Sequence, residues 1–158
     1  MAKVTNGVFP VFDNEFYVST NGRGTGTGED KYATCTFEKV ADMETFSVSI
    51  DTNIEEWSPM DTRGWTRRLA TGKGFSISLN GKRHVGDAGN DYVAGKRFAT
   101  GTDLNTAFKW VMPDGTTILI DCVLNLASAG GDSTNVEGLE FEIMSDGEPT
   151  VEDATTTE

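Results

Sequence analysis

Apolar and polar residues alternate with a period of two along much of the chain, the pattern of half-buried antiparallel strands. Over residues 45–51 the apolar set is Phe46, Val48 and Ile50, with Ser47 and Ser49 on the opposite face. Phe75, Ile77 and Leu79 alternate with Ser76, Ser78 and Asn80, and Leu139, Phe141 and Ile143 alternate with Glu140 and Glu142. Residues 116–124 are apolar on both faces for most of their length, which predicts a central or doubly covered strand. Residues 108–112, followed by Pro113-Asp114-Gly115, form a hairpin signal into that strand, because Pro, Asp and Gly supply the turn chemistry. Shorter strands are expected around 16–19 and 32–40. The fold class this predicts is mainly β: an antiparallel β-sandwich or barrel with one flanking α-helix and long loops.

The helix is expected over residues 91–100. Asn90 or Asp91 can cap its start, Lys96 and Arg97 suit its negative end, and Gly101 can stop it, although Gly95 in its middle weakens it. Two stretches read as loops. Residues 19–30 carry glycine at every second position from Gly22 to Gly28 and predict a flexible loop. Residues 52–64 contain Trp57, Pro59, Met60 and Arg63, with Trp65 just beyond. A loop that long is usually functional or disordered, and a disordered one does not normally carry Trp and Met. It therefore reads as a docking element. The chain has 158 residues, enough for one domain over 1–148, ending in an acidic, Thr-rich tail over 149–158 that is expected to be flexible. No apolar run is long enough to span a membrane and no secretory leader is evident, so a soluble, unexported protein is expected.

The formal charge of −12 is unevenly placed. Residues 63–97 hold eight basic and two acidic side chains, whereas 1–62 hold four and eleven, and 98–158 hold one and twelve. The parts can neutralise one another within one fold. They can also dock basic patch to acidic patch between copies, a heterologous contact that builds rings or filaments. Ordinary nucleic-acid binding is disfavoured, because affinity there comes mainly from neutralising phosphate.

Candidate chemistry is sparse. His84 is the single histidine, which argues against His-based zinc sites and Ser-His-Asp or Cys-His catalysis. Cys35 and Cys122 have no metal-type spacing and read as small apolar strand residues. The glycine run 22–28 lacks the Gly-Lys-Ser/Thr ending and the following helix of a phosphate loop. Glu140 and Glu142 sit on one strand rather than across a cleft, so a solvated acidic face is expected instead of glycosidase chemistry. Asp87, Asn90, Asp91, Asp132 and Asn135 lack the spacing of a calcium loop, and turn or cap roles explain them. No catalytic residue, metal site or cofactor is expected.

The ordered succession ADMETFSVSID (41–51), EEWSPMDTRGW (55–65), TGKGFSISLNGKR (71–83), GDAGNDYVAG (86–95), FKWVMPDGTT (108–117) and GGDSTNVEGLEFEIMSDGEPT (130–150) resembles the major tail tube proteins of long, flexible, non-contractile phage tails. The resemblance implies a β-sandwich assembled into hexameric rings that stack into a hollow tube for genome passage, with no active site. It implies as partners further copies of the chain, tail terminator, tape-measure and initiator proteins, and double-stranded DNA that passes without specific binding. It also implies residence in the virion tail, after assembly in the host cytoplasm. In such tubes long loops bridge subunits. Residues 52–64 match one by position, which makes Trp57, Pro59, Met60, Arg63 and Trp65, with Arg67 and Arg68 beyond, the candidate interface. A lumen for DNA should be acidic so that phosphates slide. Asp121, Glu140 and Glu142 are the candidates, and the Ser47/Ser49 and Ser76/Ser78/Asn80 faces suit a weakly adhesive wall. The competing expectation is a monomeric sugar-binding or virion-decorating β-sandwich that stacks Trp57, Trp65 and Trp110 on its ligand.

Overall fold

The computed structural model describes residues 3–153. Eight strands form one antiparallel sheet: β1 (Glu15–Ser19), β2 (Phe37–Lys39), β3 (Met43–Trp57), β4 (Arg67–Lys82), β5 (Asn105–Val111), β6 (Thr117–Gly130), β7 (Gly138–Ser145) and β8 (Thr150–Glu152). Their spatial order is β2-β1-β5-β6-β7-β4-β3, with β8 paired to the start of β6. β6 is thus the central strand expected from its two-sided apolarity. The hairpin into it also forms, closed by Met112 N–H donating to the Thr116 carbonyl at 2.8 Å.

Register places every alternating set on one face. Val48 lies opposite Ile77, Ile77 opposite Ile143, and Ile143 opposite Leu124, so successive strands stack their apolar residues in rows. These rows join Phe108, Ile120, Phe16 and Val18 in a single core. The sheet curls until its two sides meet: the Phe16 ring of β1 sits 4.9 Å edge-on from Phe46 of β3, and Phe46 lies 5.6 Å from Trp110. The sandwich is therefore one sheet rolled over its own apolar face.

The helix, α1 (Ala88–Gly95), begins three residues earlier than the sequence suggests. Asp87 is the cap, because its carboxylate accepts from Asn90 N–H at 3.0 Å and from Ala41 N–H at 3.1 Å. Asn90 and Asp91 lie inside the first turn. Gly95 ends the helix rather than weakening its middle, and Gly101 opens a separate 3-10 turn. Asn90 is fully buried and ties three segments together. Its amide donates to the carbonyls of Ala41 and Lys82, and its oxygen accepts from His84 N–H and Arg83. Val93 and Ala94 complete the core beneath.

Both expected loops differ from the sequence reading. The glycine-rich stretch folds back against the body. Residues 20–36 lie as a cover on the outer face of β5 and β6, where Tyr32 and Cys35, with Phe37 of β2 beside them, pack on Ala107 and Leu119. Gly24 and Gly26 are needed for close approach: a Cβ there would stand 2.3 Å from the carbonyl oxygens of Lys31 and Asp30. The second stretch is mostly strand. β3 runs to Trp57 and β4 starts at Arg67, paired along their length except for a register shift between Asn53 and Ile54 that bulges Thr71, so only residues 58–66 turn. Part of the expected tail, Thr150–Glu152, is strand β8; residues 154–158 lie outside the described residues.

Candidate assembly interface

Beyond Asp51 and Gly74 the β3–β4 ladder continues without β7, which pairs with β4 only from Ser76 inward. Every residue over 49–58 and 63–73 is exposed. At ~3.4 Å per residue, residues 51–57 make an arm about 24 Å long. A two-stranded ribbon is marginal by itself in water, so cross-strand links matter. Arg68 Nε meets Glu56 at 2.6 Å, Asn53 donates to Thr71 Oγ1 at 2.8 Å, and the Arg67 guanidinium lies 5.7 Å over the Trp57 ring. The tip is a 3-10 turn (Met60–Thr62) ended by Arg63 in the left-handed region, with Thr62 Oγ1 within hydrogen-bonding distance of the Pro59 and Trp65 carbonyls.

This geometry brings Trp57, Pro59, Met60, Arg63, Trp65, Arg67 and Arg68 to one end of one hairpin. Met60 is 98% exposed and Trp65 80%, while Ile50, Ile54 and Leu69 add uncovered apolar surface along the strands. The sequence reading missed those last three, because Ile50 continues an alternation whose other members are core. The sharpened charge picture is local as well. Lys82, Arg83 and Arg97 of the basic middle pair with Glu44, Asp91 and Glu137, and His84 meets Asp42. The Arg83 contact draws the Asp91 carboxyl below its ordinary range. Among the described residues of this basic middle, Arg63, Arg67 and Lys73 on the arm have no ion pair within the chain, and neither does Lys96, whose ammonium lies 5.1 Å over the Tyr92 ring.

A second surface lies on the sheet face opposite the core. Ser47 pairs with Ser78, Ser49 with Ser76, and Thr45 with Asn80; Glu140 then faces Asn80 and Ser128, and Glu142 faces Ser78 and Asn125. The result is a polar wall spanning four strands, short hydroxyls and amides with two half-exposed carboxylates among them. Asp121 does not join them in the open. It lies under the cover, 8% exposed, with Lys31 Nζ 2.8 Å from one carboxylate oxygen. A buried carboxylate requires such a partner. That contact raises the Lys31 pKa, while burial foremost, with the nearby Asp121 charge adding to it, raises the Tyr32 phenol.

Trp110 is not part of either surface. It packs 6.4 Å from Phe16 in the core and donates its indole N–H to Asn14 at 3.0 Å. The three tryptophans therefore do not form one stacking platform. Among the described residues no cluster of His, Cys, Asp and Glu is arranged to hold a metal ion, and no helix is long and apolar enough to cross a membrane.

No family model and no curated protein matches the sequence. Solved structures do share its fold. A chain from the tail of an empty gene transfer agent particle, reconstructed by helical refinement with C6 symmetry, superposes with a TM-score of 0.67 at 16% identity, covering 90% of this chain and 98% of that one. A chain from the virion of a native gene transfer agent particle gives a TM-score of 0.67, again at 16% identity, over 94% of this chain and 99% of the other. At that identity the likeness is one of fold.

Proposed function

We propose that this chain is a structural virion protein of a phage-type tail, a non-enzymatic subunit that assembles into stacked hexameric rings enclosing a channel for the genome. The observation that carries this reading is the exposed hairpin arm: a long, well-formed ribbon that ends in uncovered Met60 and Trp65 has no use in an isolated domain. The fold shared with chains of gene transfer agent particles, one of them from a tail with C6 symmetry, supports it. In the assembled tube the arm bridges subunits through Trp57, Pro59, Met60, Arg63, Trp65 and Arg67. The wall around Glu140 and Glu142 faces the channel, where hydroxyls offer little grip and the carboxylates repel phosphate. Tail terminator, tape-measure and initiator proteins are the further partners this implies.

Negative-stain electron microscopy beside size-exclusion chromatography tests it, across a range of protein concentrations. Rings or hollow tubes are expected. A strictly monomeric protein that binds glycans on an array would overturn the reading in favour of a carbohydrate-binding module.

A further inference from the structure

The arm has a free end and a distinctive base. Where β3 and β4 leave the body, the rolled sheet stays open and its apolar face shows through. A groove of about 710 Å³ lies there, floored by Ile50, Phe75, Trp110, Ile118 and Val151. Lys73 stands on one part of its rim and Glu148 on another, and neither has an ion-pair partner within the chain among the described residues. The arm tip is built from the same elements in reverse proportion. Met60 and Trp65 are its uncovered apolar groups, and Asp61 and Arg63 are its two charges without an ion pair.

We infer that the groove at the base of the arm receives the arm tip of a second copy of this chain. This deepens the assembly reading and rests on it. The match is threefold. An apolar floor meets two large apolar side chains that nothing in their own chain covers. A rim with one charge of each sign meets a tip with one of each sign, so Asp61 can pair with Lys73 and Arg63 with Glu148. The groove's volume falls within the range of protein clefts that bury most of an inserted group. The arm's length keeps tip and groove about 24 Å apart on one copy, so the contact joins two different surfaces. Such a contact is heterologous and leaves every copy with one tip and one groove to offer, which is the condition for a ring or an extending tube.

The test is cross-linking between copies in a Cys35→Ser background, which keeps the hydrogen bond to the Gly22 carbonyl and leaves Cys122 buried in the core. Full-length Met60→Cys and Ile50→Cys chains are mixed, assembled at a concentration well above the raised threshold that these truncated contact residues impose, and treated with a short bismaleimide. A covalent dimer of the two variants is expected in the assembled fraction and not in monomer, and Ile50→Glu should lower the assembled fraction about tenfold. Ile50 is already solvent-exposed in the single chain, so a charge there does not threaten folding. Particles that form without this cross-link overturn the docking and leave the assembly reading standing. Capture of Ile50→Cys by Phe12→Cys instead overturns the docking too, since the exposed N-terminal segment would then be the occupant. A parent chain, with Met60 and Ile50 intact, that remains monomeric throughout overturns both.

Discussion

Two stretches that read as loops take opposite fates. The cover, residues 20–36, turns inward: Tyr32 buries its ring, Lys31 seeks out Asp121, and Arg23 reaches Asp146 at 2.7 Å. The arm turns outward and leaves Trp, Met, Ile and Leu in water. The glycine-rich segment is the better packed of the two, and the segment with the hydrophobic anchors is the exposed one. Glycine in the cover marks backbone touching backbone, and apolar surface on the arm is left uncovered by its own chain, as the proposed assembly contact requires.

The strongest break of this comparison is Gly24→Ala. Its new methyl would collide with the Lys31 carbonyl, a backbone atom that cannot swing aside, and the cover must lift. A loss of roughly 2–3 kcal/mol in urea denaturation of dilute monomer is expected. An unchanged midpoint would show that the cover is loosely held after all.

Removing the arm's anchors should do the reverse. Met60→Ala or Trp65→Ala takes away side chains that touch little in their own chain, so the monomer should keep its midpoint. Assembly should weaken by about 2 kcal/mol, roughly thirtyfold in the concentration at which rings or tubes appear by sedimentation. Equal losses in monomer stability and assembly would mean that the tip supports the fold rather than the contact.

Alkaline pH reads the two thiols, Cys122 buried in the core and Cys35 half-buried in the cover, and leaves the arm out. Burial pushes the Cys122 thiol up from 9.0 to about 12, and burial likewise raises Cys35. A raised value means that the folded chain holds the proton more tightly than the unfolded one. Stability is therefore complete below pH 9 and declines as the pH rises toward 12. About 1 kcal/mol should be gone by about pH 10, read from denaturation midpoints, and Cys122→Ala should flatten that decline.

The core was readable in the sequence because strand alternation reports burial directly. Phe46, Ile77, Phe141 and Ile143 all face inward as the period of two requires. The arm was not, because its outer strands are exposed on both faces and Thr52, Asn53, Glu55 and Glu56 show no alternation to read. The cover was misread for a different reason: close approach of Gly24 to Lys31 is a tertiary fact, and a glycine run carries the same letters whether packed or free. Asp87 outcompeted Asn90 as the helix cap because Asn90 is held by four other hydrogen-bonding groups. Of the candidate surfaces, the tip residues lay close in sequence and were gathered by one hairpin. Asp121 was separated from Glu140 and Glu142 by Lys31, a partner ninety residues away that no local pattern announces.

The smallest expected effect is the most pointed. Gly72 lies in strand β4, and its added methyl would meet only the Asn53 Cβ at 3.4 Å, an ordinary contact. Gly72→Ala should leave monomer stability within about 0.5 kcal/mol of the parent, and the lost backbone freedom of the unfolded chain favours the variant. Set beside Gly24→Ala, it holds residue type and substitution constant and moves the change from the packed, irregular cover to an open strand of the arm. If the two glycines cost the same by urea denaturation, the contrast between a packed cover and a free arm is wrong. If they separate by about 2 kcal/mol or more, with assembly untouched by Gly72→Ala, the arm's role is confined to its tip and base, because its middle then tolerates change on both counts.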